Sequence, residues 1–154
     1  MQGVRGVGNN TSFLNRLIAK ILIEDTAKPH LRHPNAAGLI AARGELSEAR
    51  ISAEDLLIAA LRMRPDRIIL GELRGVEAFT FLRAVNTGHP GSMTTIHADT
   101  PQRAIEQLAL LVLQAGSKLS RDDVRHYVRE SVDVFVQLEL RGGKRRASRV
   151  LVAE

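Results

Sequence analysis

The sequence predicts an α/β fold with a mostly parallel sheet, on three observations. Between residues 13 and 115, short apolar runs alternate with segments of helical periodicity, the pattern of strands joined by crossover helices. Three of those apolar runs each end in a polar side chain: Glu24, Glu72 and His97. From Val132 onward the pattern changes to period-two alternation interrupted by a glycine turn, which reads as a closing β-hairpin.

The elements follow in order. Gly3-Val4-Arg5-Gly6-Val7-Gly8-Asn9-Asn10 is glycine-rich, and Leu14, Leu17 and Ile18 then fall at the helical spacing i, i+3, i+4, with Thr11 or Ser12 as a cap. Ile21-Leu22-Ile23 precedes Glu24-Asp25-Thr26 and reads as a buried strand. Residues 28–50 hold Pro29, Pro34, Gly38 and Gly44, so they are expected to be mostly loop with short ordered pieces. Ser52 caps a helix through Met63, and Pro65-Asp66 breaks it. Arg67-Ile68-Ile69-Leu70-Gly71-Glu72 repeats the earlier pattern of an apolar strand delivering a carboxylate. A helix from about Val76 to Asn86 is stopped by Gly88, and Ser92 to His97 is strand-like. Pro101 suits the first position of the next helix, which Gly116 closes. Ser120 caps a helix to about Glu130, and Val132–Leu140 pairs back with Arg149–Val152 across the Arg141-Gly142-Gly143-Lys144 turn.

Composition bounds the function. A chain of 154 residues buries one core, and 44% hydrophobic with 25% charged residues is ordinary for a globular domain. With no cysteine there is no disulfide, thiolate metal site or cysteine nucleophile, which suits a reducing cytoplasm. No apolar run approaches the ~20 residues of a membrane-spanning helix, and Met1-Gln2-Gly3-Val4-Arg5 lacks the apolar stretch of an export signal. A net charge of +5 is a weak pull toward anions. One tyrosine, four phenylalanines and no tryptophan argue against direct nucleic-acid contact through stacking platforms.

In an open parallel sheet, ligands bind beyond the carboxyl ends of the strands. Glu24, Glu72 and His97 delivered to that rim, with a glycine-rich loop before a helix, suggest a nucleotide phosphate site. The loop would expose backbone N–H groups to phosphate, and the helix N-terminus adds a favourable dipole. A carboxylate after an apolar strand can hold Mg²⁺ through water or orient an attacking water, and a histidine nearby can donate to a phosphate oxygen.

The stretch Leu61-Arg62-Met63-Arg64-Pro65-Asp66-Arg67-Ile68-Ile69-Leu70-Gly71-Glu72-Leu73-Arg74-Gly75 resembles the Walker B segment of the type IV secretion and conjugal-transfer ATPases. Asn86-Thr87-Gly88-His89-Pro90-Gly91-Ser92-Met93-Thr94-Thr95-Ile96-His97-Ala98 resembles their His box, and Ile23-Glu24-Asp25-Thr26 their Asp box. The similarity runs from about residue 13 to the C-terminus. It implies a RecA-like P-loop NTPase domain using ATP and Mg²⁺, working as a hexameric ring against inner-membrane secretion-channel components at the cytoplasmic face. Relatives include pilus and type II secretion ATPases. Carried over by residue, Glu72 would serve Mg²⁺ and water, Glu24 would position the attacking water, and His97 would sense the γ-phosphate. Arg74 resembles a charged residue that follows the Walker B glutamate. Gly6, Gly8, Asn9, Asn10, Thr11 and Ser12 would form the phosphate loop, with Thr11 as the Mg²⁺ hydroxyl ligand.

The departures are equally specific. Laid on Gly3 to Asn10, the pattern G-x-x-x-x-G-K-[ST] places Asn9 at the lysine position and Asn10 at the hydroxyl position. Sliding by one puts Asn10 at lysine and Thr11 at hydroxyl, at the expense of the preceding glycine. A neutral amide cannot replace the lysine charge on the β- and γ-phosphates, so weakened binding and turnover are expected. Only Met1-Gln2 precede the loop, and Lys20 runs into Ile21-Leu22-Ile23 without the ~2–6 residues of a usual αβ connection. The expectation is one motor domain over residues 1–154, truncated at its N-terminus and lacking the family's separate N-terminal domain.

Plainer readings stand beside these. Glu72 can be a helix-start carboxylate stabilised by the dipole, and His97 a satisfied histidine closing a strand. His89 can be a turn residue, and His30 with His33 lack the further ligands of a metal site. Arg141, Lys144, Arg145, Arg146 and Arg149 make a basic hairpin, either a solvated edge or a contact for anionic lipid or nucleic acid. Leu108, Leu111 and Val112 are most simply core.

Overall fold

The computed structural model describes residues 20–25, 34–41 and 51–153. Among the described residues, four strands form one parallel sheet: β1 (Lys20–Glu24), β2 (Ala36–Ile40), β3 (Arg67–Leu70) and β4 (Met93–Thr94), in the order β2-β1-β3-β4. Helix α1 (Ala53–Arg62) joins β2 to β3 and α2 (Glu77–Asn86) joins β3 to β4. Both connections step across the sheet in the same direction, so right-handed crossovers put both helices on one face. Helices α3 (Pro101–Gln114) and α4 (Arg121–Ser131) continue that layer and lead to the antiparallel pair β5 (Val134–Arg141) and β6 (Lys144–Val152).

The core lies between this helical layer and the sheet. Ile21 and Ile23 of β1 and Ile68 and Leu70 of β3 join Leu57 of α1, Phe81 and Leu82 of α2, Leu108 and Val112 of α3, and Val124 and Val128 of α4 in one buried cluster. The α3 stripe is therefore core packing. Leu22, also buried, alternates to the opposite face of the sheet, as period two requires.

Helix ends follow the expected chemistry. Ser52 and Ser120 each close a capping box, with Asp55 and Asp123 returning a carboxylate to the cap N–H. Thr100 caps α3 ahead of Pro101, and Gly116 beyond its end takes φ +86°, which a side chain would disfavour. Thr80 Oγ1 donates to Glu54 Oε1 at 2.6 Å, tying α2 to α1.

Residues 28–50 are expected to be mostly loop with short ordered pieces, and Ala36–Ile40 is such a piece, strand β2. Among the described residues, strand β2 lies at the edge of the sheet, begins with the weak β-formers Ala36, Ala37 and Gly38, and is held by its parallel ladder to β1. Among the described residues nothing lies within 4 Å of where a Gly38 Cβ would stand. Two other elements differ from expectation. The Ser92–His97 strand contracts to Met93–Thr94, because Thr95 turns its carbonyl to the N–H of Leu73 and leaves the ladder. Strand β6 starts at Lys144 rather than Arg149, since its basic run hides the alternation, and the register shifts between Gln137 and Leu138.

A further tie secures the amino end of β3. The Ile68 N–H donates to Ser92 Oγ at 2.9 Å, Ser92 Oγ donates to the His89 carbonyl at 2.7 Å, and His89 Nδ1 lies 2.7 Å from the Pro65 carbonyl. His89 is thus a turn-holding residue, at the opposite end of β3 from Glu72.

Candidate functional site

All four sheet strands run the same way, so their carboxyl ends share one rim. Three backbone-directed bonds lace that rim together. The Gly71 N–H donates to the Ile23 carbonyl at 2.8 Å, Thr95 Oγ1 donates to the Gly71 carbonyl at 2.6 Å, and the Leu73 N–H donates to the Thr95 carbonyl at 2.9 Å. Glu72 is held between these last two contacts, flanked by the ends of β1 and β4.

Both oxygens of Glu72 are engaged. His97 Nε2 lies 3.0 Å from Oε1, and the Arg74 guanidinium pairs with Oε2. The second terminal nitrogen of Arg74 reaches to 3.6 Å from Asp25 Oδ2. The Glu72 side chain is only 17% exposed whereas that of His97 is 91% exposed, so the carboxylate sits under groups that face solvent. Hydrogen bonding from Arg74 to Glu72, reinforced by their opposite charges, raises the guanidinium pKa further above its already high range and keeps it cationic. Pairs as exposed as these contribute little to stability, so the cluster matters as geometry: a sheltered carboxylate addressed by an arginine and a histidine.

One residue further on, the turn is fixed from below. Glu77, buried at the start of α2, accepts the N–H groups of Arg74 at 2.7 Å and Gly75 at 2.8 Å through Oε1.

Of the residues expected from sequence, Glu72, Arg74 and His97 come together in one cluster. Glu24 ends the neighbouring strand, buried, its carbonyl accepting the Ala41 N–H at 2.8 Å. Gly6, Gly8, Asn9, Asn10, Thr11 and Ser12 lie outside the described residues, as do the expected helix over 13–18 and the pair His30 and His33. Two participants were not singled out by the sequence, Asp25 and Glu77. Asp25 follows Glu24 at a strand end, and Glu77 is an acid in a first helical turn that lacks a side-chain cap; those are the signals that point to them.

Among the described residues, no group of three or more His, Cys, Asp or Glu side chains is gathered as a metal cage. A carboxylate such as Glu72 on a solvent-facing rim suits Mg²⁺, which binds through one or two carboxylates plus waters and phosphate oxygens. Arginine and histidine beside it are the donor types that phosphate accepts.

The parallel sheet with its crossover helices is a fold shared with solved RecA-like secretion ATPases. The profile described as "Type II/IV secretion system protein" matches residues 10–141, and the chain belongs to that family. It is 42% identical over 151 residues to the type IV secretion system protein VirB11 of Bartonella quintana, covering 92% of this chain and 42% of that protein. It is 35% identical over 164 residues to the conjugal transfer protein TrbB of Rhizobium radiobacter, covering 100% of this chain and 47% of that one. The crystal structure of the VirB11 ATPase of the Brucella suis type IV secretion system, in complex with sulphate, superposes with a TM-score of 0.76 at 36% identity, covering 88% of this chain and 40% of that one. The pilus retraction motor PilT with bound ADP matches with a TM-score of 0.65 at 26% identity, over 94% of this chain and 42% of that one. The chain thus spans less than half the length of these relatives. No helix among the described residues is long and apolar enough to cross a membrane.

Proposed function

We propose that this chain is a nucleotide-dependent motor component of a type IV secretion or conjugal-transfer apparatus, with its site at the Glu72 rim. The observation that carries the reading is the engagement of both Glu72 oxygens, by His97 on one side and Arg74 on the other, at the carboxyl edge of a parallel sheet. Bound Mg²⁺ with ATP would supply electrophilic activation of the γ-phosphate. Toward that pair, Glu72 would hold the metal's water shell and Thr11 would offer a hydroxyl oxygen. Glu24 would orient the attacking water, and Arg74 would balance phosphate charge. His97, the most exposed member, would donate to the γ-phosphate and release Glu72 when it does so. Gly6, Gly8, Asn9, Asn10 and Ser12 would present loop N–H groups and neutral dipoles to the phosphates. Residues 1–154 would form part of one motor domain, working in a homo-oligomeric, hexameric ring at the cytoplasmic face of the inner membrane beside secretion-channel components.

A second reading is favoured by one specific feature, the asparagines where the phosphate loop calls for lysine. In it the chain joins or blocks a ring of intact subunits without turning over ATP. Equilibrium binding of a fluorescent ATP analogue, with and without Mg²⁺, separates the two. The motor reading expects Mg²⁺-dependent binding, tightened by Asn9→Lys with Asn10→Thr and lowered in Mg²⁺ dependence by Glu72→Gln. Absence of binding in the folded parent and in the restored variant would leave the non-catalytic subunit as the better account, which light scattering of mixtures with intact relatives would then test.

A further inference from the structure

We propose that Glu77 is a positioning residue that sets the Glu72–Arg74 turn, and that position 75 is glycine to admit it. Glu77 is the first residue of α2 and only 8% exposed. A buried carboxylate is costly unless hydrogen-bonded, and Glu77 meets that cost by accepting two backbone N–H groups, from Arg74 and Gly75. The partly positive start of α2 adds to this. The bonds run backward, from the helix into the preceding loop. Val76, at the cap position, makes no side-chain cap bond, so Glu77 organises the entry to α2 from inside it.

Gly75 bears on the same contact. A Cβ built there would stand 3.1 Å from Glu77 Oε2, closer than side chains ordinarily tolerate. The carboxylate cannot yield easily because its other oxygen is held by two amides. From Glu77 the constraint passes through the Arg74 backbone to its guanidinium, which pairs with Glu72 and lies beside Asp25. Glu77 holds the backbone N–H of Arg74 rather than the guanidinium assigned to phosphate, so it acts through the placement of Arg74. The importance of this for turnover rests on the motor reading of Glu72, but the control of the turn does not.

The test uses the full chain with Glu77→Ala, Glu77→Gln and Gly75→Ala. Amide hydrogen exchange is read at Arg74 and Gly75 with Ile68 and Leu70 as internal controls, and the Arg74 Nε–H resonance is followed by NMR. In Glu77→Ala the two turn amides should exchange on the order of tenfold faster while the β3 controls hold, as expected for local opening. The Arg74 resonance should move toward its position in Glu72→Gln. Glu77→Gln keeps a carbonyl acceptor and should recover most of the protection, and Gly75→Ala should mimic Glu77→Ala. Where the parent turns over Mg²⁺-ATP, kcat should fall by roughly 10- to 100-fold with KM nearly constant, the signature of misplaced chemistry. An Arg74 resonance unmoved in Glu77→Ala despite faster amide exchange would reduce Glu77 to a helix cap and overturn the proposal. If the parent binds no nucleotide, the motor reading fails alone, because the exchange and resonance measurements still decide the role of Glu77. Should Glu77→Ala not fold, Gly75→Ala and Glu77→Gln decide it by the same measurements.

Discussion

The carboxyl rim and the β5–β6 hairpin are both rich in charge, and they use it in opposite ways. At the rim, Asp25, Glu72, Arg74 and His97 arrive from the ends of three strands and meet within hydrogen-bonding or ion-pairing distance. On the hairpin, Arg141, Lys144, Arg145, Arg146 and Arg149 all stand exposed, and none enters an ion pair among the described residues. The apolar side chains of one hairpin face are also open to solvent, with Leu138 at 62% and Leu140 at 72% exposure. The hairpin is moored by Phe135 and Leu151 in or against the core and by Gln137 Nε2 donating to the Ala98 carbonyl at 3.2 Å. Charges delivered by separate strand ends and brought together by topology define a geometry. Charges adjacent in sequence on a protruding ribbon repel one another and face water.

Three substitutions probe that contrast. The largest effect is expected from Phe135→Ala, which removes the hairpin's buried ring and should cost about 3–5 kcal/mol by urea denaturation. If the contrast is right, hydrogen exchange will show β5 and β6 losing protection before β3 does. An intermediate loss, about 1 kcal/mol, is expected from Ser120→Ala, which removes the hydroxyl cap of α4, the helix leading into the hairpin. The loss should depend on pH. The Ser120 hydroxyl, and then its N–H, hold the Asp123 carboxyl below its ordinary value, so the folded state takes up a proton less readily than the unfolded chain. The stabilisation is therefore fully present above the unfolded carboxylate pKa, near ~4, and fades as pH falls through the lower folded value. The gap between parent and Ser120→Ala should narrow in acid, and Ser52 with Asp55 should behave alike. The smallest effect, within about 0.5 kcal/mol, is expected from Leu140→Lys at the exposed tip. A larger loss would mean that this face is covered in solution.

Much of this architecture is legible in the sequence because its signals are local. Ser52 and Ser120 announce their helices, Pro101 and Gly116 bracket a third, and Ile68 to Leu70 can only be a buried strand. Strand β2 is not legible, since Ala36-Ala37-Gly38 carries neither alternation nor β-propensity and owes its form to β1. At the site, the sequence places Glu72 and His97 at strand ends, and the adjacency of β3 and β4 turns that into contact. Asp25 and Glu77 escape such reasoning because their partners are set by the path of a turn: the one meets a guanidinium, the other two backbone amides.

The bonds at the two ends of β3 have a mechanical consequence. Ser92 bonds the chain at Ile68, and Thr95 bonds it at Gly71, so β3 and the β4 segment are tied at both ends, and sliding one past the other would break both bonds. A load applied to His97 would meet those ties and bear first on residues 98–100, between Thr95 and the capped start of α3. Helix α3 packs against both strands of the hairpin, and Ala98 is itself hydrogen-bonded to Gln137. A displacement at the rim would therefore reach the solvent-exposed ribbon through α3 and Ala98.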